Sequence, residues 1–261
     1  MSTGSTTVLV KLGGTLLDDD ASRARLAGEI AAVAAQYPRM TVVHGGGKQM
    51  TRFLTERGVE SRFVGGLRVS TPEVIDAVLK VFAGTVNHQF VASLVAAGSM
   101  AVGLTGIDAC LTEAEQWSEE LGQVGRPVRS NAGLLDVLTA NGYLPVVACV
   151  AGDRNGGIYN VNADQMAAAC AAGFAASKLL FLTDVAGVMD GSKTVLPRLT
   201  RAESARLIAD GVASGGMQAK LEAAHRALDG GVGEVVIAPG AESGIVARLL
   251  AGETIGTRIV A

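Results

Sequence analysis

Short apolar runs alternate with stretches of helical spacing along almost the whole chain. The runs are VLVKL from Val8, MTVVH from Met40, MAVGLTG from Met100, LPVVACVA from Leu144, KLLFLT from Lys178 and EVVIA from Glu234. Strands joined by helical crossovers produce that alternation, and the crossovers place helices on both faces of a parallel sheet. The expected architecture is α/β, a three-layer αβα sandwich around a mostly parallel open sheet, in a single domain over residues 1–261. Ala and Gly dominate and aromatic residues make up only 4% of the chain, which suits helices packed closely over a sheet.

Helices are expected from about Ala21 to Gln36, near Lys48 to Arg57, and from Pro72 to about Ala97. The last opens on Thr71 as N-cap with Pro at the first helical position. Others are expected over Asn131–Asn141, after Thr200, after Gly215-Gly216 and after Glu242. SRFVGGLRVS reads as a hairpin turning at Gly65-Gly66. TRIVA from Thr257 reads as a closing strand, and Cys110 to Arg129 as irregular chain with hairpin character. The uncharged stretch His88–Ile107 carries three Gly, two Ser and a Thr, so it reads as a helix end, turn and strand rather than a membrane span.

Composition narrows the partners. A net charge of −3, a pI near 5.7 and the lack of a basic cluster argue against a nucleic-acid surface. Cys110, Cys149 and Cys170 have no metal-ligand spacing and suit a reducing cytoplasm. The start MSTGSTTVLVKLGG has neither the basic opening nor the long apolar core of a signal peptide. A cytoplasmic protein with no membrane partner is expected.

Two strand ends are rich in glycine. VKLGG puts Lys11 ahead of Gly13 and Gly14, and VVHGGGK puts Gly45, Gly46 and Gly47 between a strand and a helix. Ligands of open α/β sheets sit at those carboxyl ends, where glycine amides backed by a helix N-terminus bind anions. One glycine pair serves a tight turn; two such turns on consecutive strands point to a phosphate-type site. Neither turn has the Walker pattern or the G-x-G-x-x-G spacing of a dinucleotide dehydrogenase. Lys220 lies about one turn into the helix behind Gly215-Gly216, where the helix dipole also favours anions. Lys80, Lys178 and Lys193 read as solvated surface residues and His44 as a packing or turn residue. No Ser/His/Asp or Cys/His arrangement emerges from the spacing.

GGIYNVNADQMAAACAAG, from Gly156, holds three short polar residues ahead of an Ala-rich helix. Asn160, Asn162 and Asp164 alternate, which places them on one face of an extended segment. A calcium loop counted from Asn160 needs Gly at its sixth position and an acid at its twelfth, where Gln165 and Ala171 stand. A helix N-cap accounts for only one of the three.

Taken in order, VKLGG, VHGGGK, GLRVS, NGYLPVV, YNVNADQMA, LTDVAGV and SGGMQAKLEAA resemble the amino acid kinase family, and within it the acetylglutamate kinases, from Val10 to Ile259. The resemblance implies transfer of the ATP γ-phosphoryl group to the side-chain carboxylate of N-acetyl-L-glutamate, on the route to arginine. Such chemistry needs cations and N–H donors but no general base, since the nucleophile is already a carboxylate. By resemblance, Lys11 would stabilise the moving phosphoryl and Lys220 the ATP phosphates, with Asp164 fixing both lysines. Gly14, Gly46 and Gly47 would offer backbone amides, Asn160 would hold the acylated end of the substrate, and Arg68 would pair with its α-carboxylate. Asn162 is left as a supporting or capping residue. The ATP loops would be Asp184, Val185, Ala186, Gly187, Val188 and Met189, then Val212, Ala213, Ser214, Gly215, Gly216 and Met217.

On this resemblance a lobe of about residues 1–175 binds the acyl amino acid and one of about 176–261 binds ATP, whose phosphates carry magnesium. Arginine-inhibited members have an extra N-terminal helix that links dimers into hexamers. Here the first strand begins by about Thr7, so a homodimer paired through the helix after Thr71 and insensitive to arginine is expected. N-succinyl-L-glutamate as acceptor, or a non-catalytic sensor of nucleotide or amino acid, stand as alternatives.

Overall fold

The computed structural model describes residues 6–260. The first five residues of the stretch read as lacking a signal peptide, and Ala261 of the closing strand, lie outside them. The chain opens with β1 (Val8–Leu12), buried along its whole length, and crosses through α1 (Asp20–Ala34) to β2 (Met40–His44). After α2 (Gly47–Thr55), β3 (Phe63–Val64) and β4 (Leu67–Arg68) form a hairpin through Gly65 and Gly66 at φ 55° and 80°. Glycine takes these left-handed positions without strain.

One long helix then runs from Pro72 to Ala96 as α3 (Pro72–Val78), π-helical Leu79–Val86 and α4 (Asn87–Ala96). Thr71 caps it, its hydroxyl accepting from the Val74 N–H at 3.3 Å. By length and composition this helix could cross a membrane. Its Val74, Val78, Phe82, Phe90 and Leu94 are instead part of the protein core.

There follow β5 (Ala101–Thr105), β6 (Thr112–Gln116), β7 (Val124–Ser130), α5 (Gly133–Ala140), β8 (Leu144–Ala148), β9 (Val150–Gly152) and β10 (Ile158–Val161). The chain ends with α6 (Ala163–Gly173), β11 (Lys178–Thr183), β12 (Arg198–Leu199), α7 (Arg201–Ala209), α8 (Gly215–Asp229), β13 (Glu234–Pro239), α9 (Ile245–Leu250) and β14 (Thr257–Ile259).

The large sheet has the order β12-β14-β13-β11-β1-β2-β8-β5. All its pairs from β13 to β5 are parallel, while β14 runs antiparallel to β13 and takes β12 with it. The expected mostly parallel sheet is therefore present, with a reversed edge. β1 lies between β11 and β2, with Lys11 level with Phe181 and Val43.

Three expectations are corrected. LPVVACVA is two strands: β8 stays in the large sheet, while β9 leaves it to join β10, β7 and β6 in a small closed barrel. Both pieces are buried and apolar, so hydropathy carries no mark of the change of partner. The segment Cys110–Arg129, read as irregular with hairpin character, is more regular than expected: it supplies β6 and most of β7, an antiparallel pair with one register shift between Glu113 and Ala114, so its hairpin character holds. Lys178, read as solvated, is half-buried and paired with Glu234 at 3.0 Å.

Candidate active site

The segment Asn160–Asp164 is a strand end followed directly by a helix start. Asn160 closes on β10, Asn162 caps α6, and Asp164 stands in the first turn of that helix. The polar residues thus stand at a strand-to-helix junction, as the alanines after them suggested, and all three line one cavity. The Asn162 side chain accepts from the N–H groups of Asp164 and Gln165 at 2.9 and 3.3 Å, which makes it the capping residue.

The cap aims Asp164 between two lysines from other elements. Lys11 Nζ lies 2.6 Å from Oδ1 as an ion pair, and Lys220 Nζ donates to Oδ2 at 2.7 Å. All three residues are less than 10% exposed. The alanines explain how α6 and α8 approach closely enough. Ala167, Ala168 and Ala171 on one helix and Ala223, Ala224 and Ala227 on the other are all buried, and none holds the backbones apart with a long side chain.

Two buried ammoniums share one buried carboxylate, so the triad carries a net positive charge. A buried unpaired charge is costly, and an anion delivered there relieves it. The direction of the ionisation shifts agrees. Burial and the nearby Lys11 lower the Lys220 pKa against the pull of Asp164. Burial pushes the Asp164 pKa up, but Lys11 and Lys220 more than reverse this and leave it lowered.

Glycine turns border this charge. A Cβ on Gly14 would stand 2.9 Å from both Cα and N of Gly46 and 3.0 Å from the Gly47 nitrogen, so the two turns touch backbone to backbone. Gly46 is equally confined, by the Phe82 ring, whereas Gly47 faces open space at the start of α2. From α2, Gln49 Nε2 donates to the Gly14 carbonyl at 3.0 Å and ties the two turns together.

Arg68 and Asn160 line the same cavity, of about 240 Å³. Arg68 donates through Nη1 to Ser61 and through Nη2 to Thr51 Oγ1 at 2.8 Å and the Gly47 carbonyl at 3.3 Å. Its guanidinium also stacks 4.6 Å from the Phe63 ring centroid. Three of its five N–H donors are thereby engaged within the described residues. Sequence reading named none of the apolar residues of this cavity, to which Phe63, Leu67, Phe82, Val124 and Val161 contribute. Only the pairing of β7 with β10 brings Val124 level with Asn160. Cys149 also lines it, with a thiol pKa pushed up to about 12 by burial.

The loops expected to hold nucleotide follow β11 and lead into α8, the helix that carries Lys220. After β11, Asp184, Val185, Ala186 and Met189 are exposed, while Gly187 and Val188 are buried, the Val188 N–H donating to Thr257 Oγ1 at 2.8 Å. Before and into α8, Val212, Ser214, Gly215 and Gly216 are exposed, Met217 is half-buried, and Ala213 is buried with its N–H on the Leu207 carbonyl at 2.9 Å. The buried members shape the loops and the exposed ones face solvent.

His44 takes the packing role expected of it. Asn87 Nδ2 donates to Val146 O at 2.9 Å and lies 3.0 Å from Nε2, so the ring proton sits on Nδ1, against the Gly45 carbonyl at 2.9 Å. Burial holds its pKa at about 4 and the ring neutral.

The amino acid kinase family matches residues 6–239 of this chain. Acetylglutamate kinase of Solibacter usitatus is 66% identical over 253 residues, which cover 97% of this chain and 98% of that protein. Acetylglutamate kinase of Mesorhizobium japonicum is 40% identical over 268 residues, covering 97% and 90%. Among solved structures, N-acetylglutamate synthase from Neisseria gonorrhoeae in complex with coenzyme A and N-acetyl-glutamate has a TM-score of 0.86 at 24% identity. That likeness spans 98% of this chain but 60% of the other, and it shows a shared fold alone. Matched in sequence over nearly its full length, the chain belongs to the amino acid kinase family.

Proposed function

We propose that this phosphotransferase moves the γ-phosphoryl group of ATP to the side-chain carboxylate of N-acetyl-L-glutamate, giving N-acetyl-L-glutamyl 5-phosphate and ADP, in arginine biosynthesis. The carrying observation is the buried Lys11–Asp164–Lys220 triad, of which Lys11 and Asp164 line a cavity that Arg68 and Asn160 also line. The 66% identity to an acetylglutamate kinase supports the choice of acceptor.

In the reaction a carboxylate oxygen bonds to the γ-phosphorus as the bond from phosphorus to the ADP oxygen breaks, and no proton has to move. Charge spreads over the moving phosphoryl, so fixed donors and cations do the work. Lys11 and the amides of Gly14, Gly46 and Gly47 meet that charge, Lys220 meets the ATP phosphates, and Asp164 holds both ammoniums in place. Arg68 takes the α-carboxylate, Asn160 the acylated amine, and the apolar part of the cavity takes the methyl and methylene groups. Residues of about 176–261 hold the nucleotide through Asp184–Met189 and Val212–Met217. Magnesium is proposed to arrive on the ATP phosphates.

Replacing Arg68 by lysine removes the planar fork while keeping the charge. The KM for the acyl amino acid is expected to rise roughly 10–100-fold, as when a charged hydrogen bond is lost. The KM for ATP stays unchanged, and steady-state kinetics with each substrate varied separately show the split.

The protein is proposed to work in the cytoplasm as a homodimer paired across the helix Pro72–Ala96. That helix buries one face in the core and leaves Val95 54% exposed. Sedimentation velocity should give a two-chain species; a monomer or a hexamer overturns this pairing.

ATP-dependent acyl phosphate, trapped as hydroxamate, tests the function. N-acetyl-L-glutamate, N-succinyl-L-glutamate and L-glutamate are compared side by side, and a signal with the acetyl compound alone is expected. No signal with any acceptor, from protein that binds ATP, favours the sensor reading.

A further inference from the structure

Ser70, two residues beyond Arg68, is fully buried and never meets the cavity. Its hydroxyl donates to the Arg68 carbonyl at 3.0 Å and accepts from Asn160 Nδ2, also at 3.0 Å. A serine hydroxyl has one proton. A carbonyl accepts and never donates, so that proton is committed to Arg68. Ser70 therefore has only a lone pair to offer Asn160, and the amide nitrogen of Asn160 must face it. Were the amide turned over, two oxygens would meet without a proton between them, at the cost of an unsatisfied buried polar group.

The backbone holds the same parts in register. The Ser70 N–H donates to Leu121 O at 3.0 Å, and Ser70 O accepts from the Gln123 N–H at 2.7 Å. The Gln123 carbonyl in turn accepts from the Asn160 N–H at 2.9 Å. Between them Gly122 sits at φ 64°, where a Cβ would come within 2.5 Å of the Ser70 oxygen. The strand that carries Arg68 and the barrel strand that carries Asn160 are joined here.

We infer that Ser70 is a positioning residue for the acyl amino acid: its buried hydroxyl fixes which end of the Asn160 amide is turned away from it, and ties Asn160 to the strand bearing Arg68. The inference rests on the proposed acceptor for its kinetic consequence, but not for the Ser70–Asn160 contact itself. With the nitrogen held by Ser70, Asn160 Oδ1 is left as the acceptor for an N–H of the ligand.

The test combines kinetics with a ligand-free signal. Ser70→Ala should raise the KM for N-acetyl-L-glutamate roughly three- to tenfold, the value of one neutral hydrogen bond. It should leave kcat and the KM for ATP unchanged, because nothing at the phosphates moves. Ser70→Thr keeps the hydroxyl and should restore the wild-type KM. As threonine adds a methyl group in a filled space, a double variant provides a second check. Ser70→Ala/Asn160→Ala should bind the acyl amino acid no more weakly than Asn160→Ala alone, since contacting residues acting through one another are not additive.

In side-chain 15N-labelled protein without ligand, the Asn160 NH2 resonances, assigned by their loss in Asn160→Ala, should shift in Ser70→Ala. Unshifted resonances, additive effects in the double variant, or an equal fall in kcat with both KM values raised would each overturn the inference. A shift in those resonances, from wild type that phosphorylates no acyl glutamate, would uphold the Ser70–Asn160 tie and overturn the acceptor assignment instead.

Discussion

Lys11→Ala is expected to lower kcat by roughly 10²–10³, or about 2.7–4 kcal/mol of transition-state stabilisation, the cost of deleting one preorganised donor from a site where charge develops. The size follows from where the ammonium stands. Lys11 is 6% exposed and 2.6 Å from Asp164, so water neither screens it nor replaces it easily. The carboxylate remains paired with Lys220 at 2.7 Å, so the fold is spared an unpaired anion. The loss should fall on kcat, with a thermal midpoint near that of wild type. Hydroxamate formation under saturating substrates reads the one, and a melting curve reads the other. Near-normal turnover would remove Lys11 from the mechanism.

Asp164→Asn is expected to act on stability as well. The shape is kept, but two buried ammoniums then face each other across a neutral amide. Removing one partner from a buried ion pair costs about 3–5 kcal/mol, which for a chain of this size corresponds to a fall of roughly 6–20 °C in Tm. Inorganic phosphate should recover more of the Tm in the variant than it adds to wild type, because the anion now meets two uncompensated charges. If phosphate raised both equally, the triad would not be the anion site. In wild type the lowered Asp164 pKa means this stabilisation is fully present above the usual Asp value of 3.8 and is lost as the pH falls below that value through the lowered pKa of the folded state.

Most of the layer structure was legible in the sequence because buried parallel strands read as near-continuous apolar runs, broken in these only by Lys11, Thr41 and His44. Val8–Leu12, Met40–His44 and Leu144–Ala148 are buried at every position, and each stands out against its amphipathic neighbours. Local signals carried equally well: Thr71-Pro72 starts a helix, Gly65-Gly66 turns a hairpin, and Asn162 caps α6. Where strands exchange partners the sequence was silent, since Ala148 and Val150 are equally buried in different sheets.

For the site, the sequence by itself determined the inventory: two lysines beside glycine turns, an acid at a helix start, an arginine behind a hairpin. The lysines and glycine turns follow from short-range rules of turns and helix dipoles, which are written into neighbouring positions, while Asp164 and Arg68 entered through the resemblance of their motifs. Only the tertiary structure decided that Asp164 meets both lysines, that Val124 joins the cavity, and that a buried Ser70 orients Asn160. These contacts join residues as distant in the chain as Lys11 and Asp164. They arise from sheet order and from the close packing of two alanine-rich helices, and sequence spacing records neither.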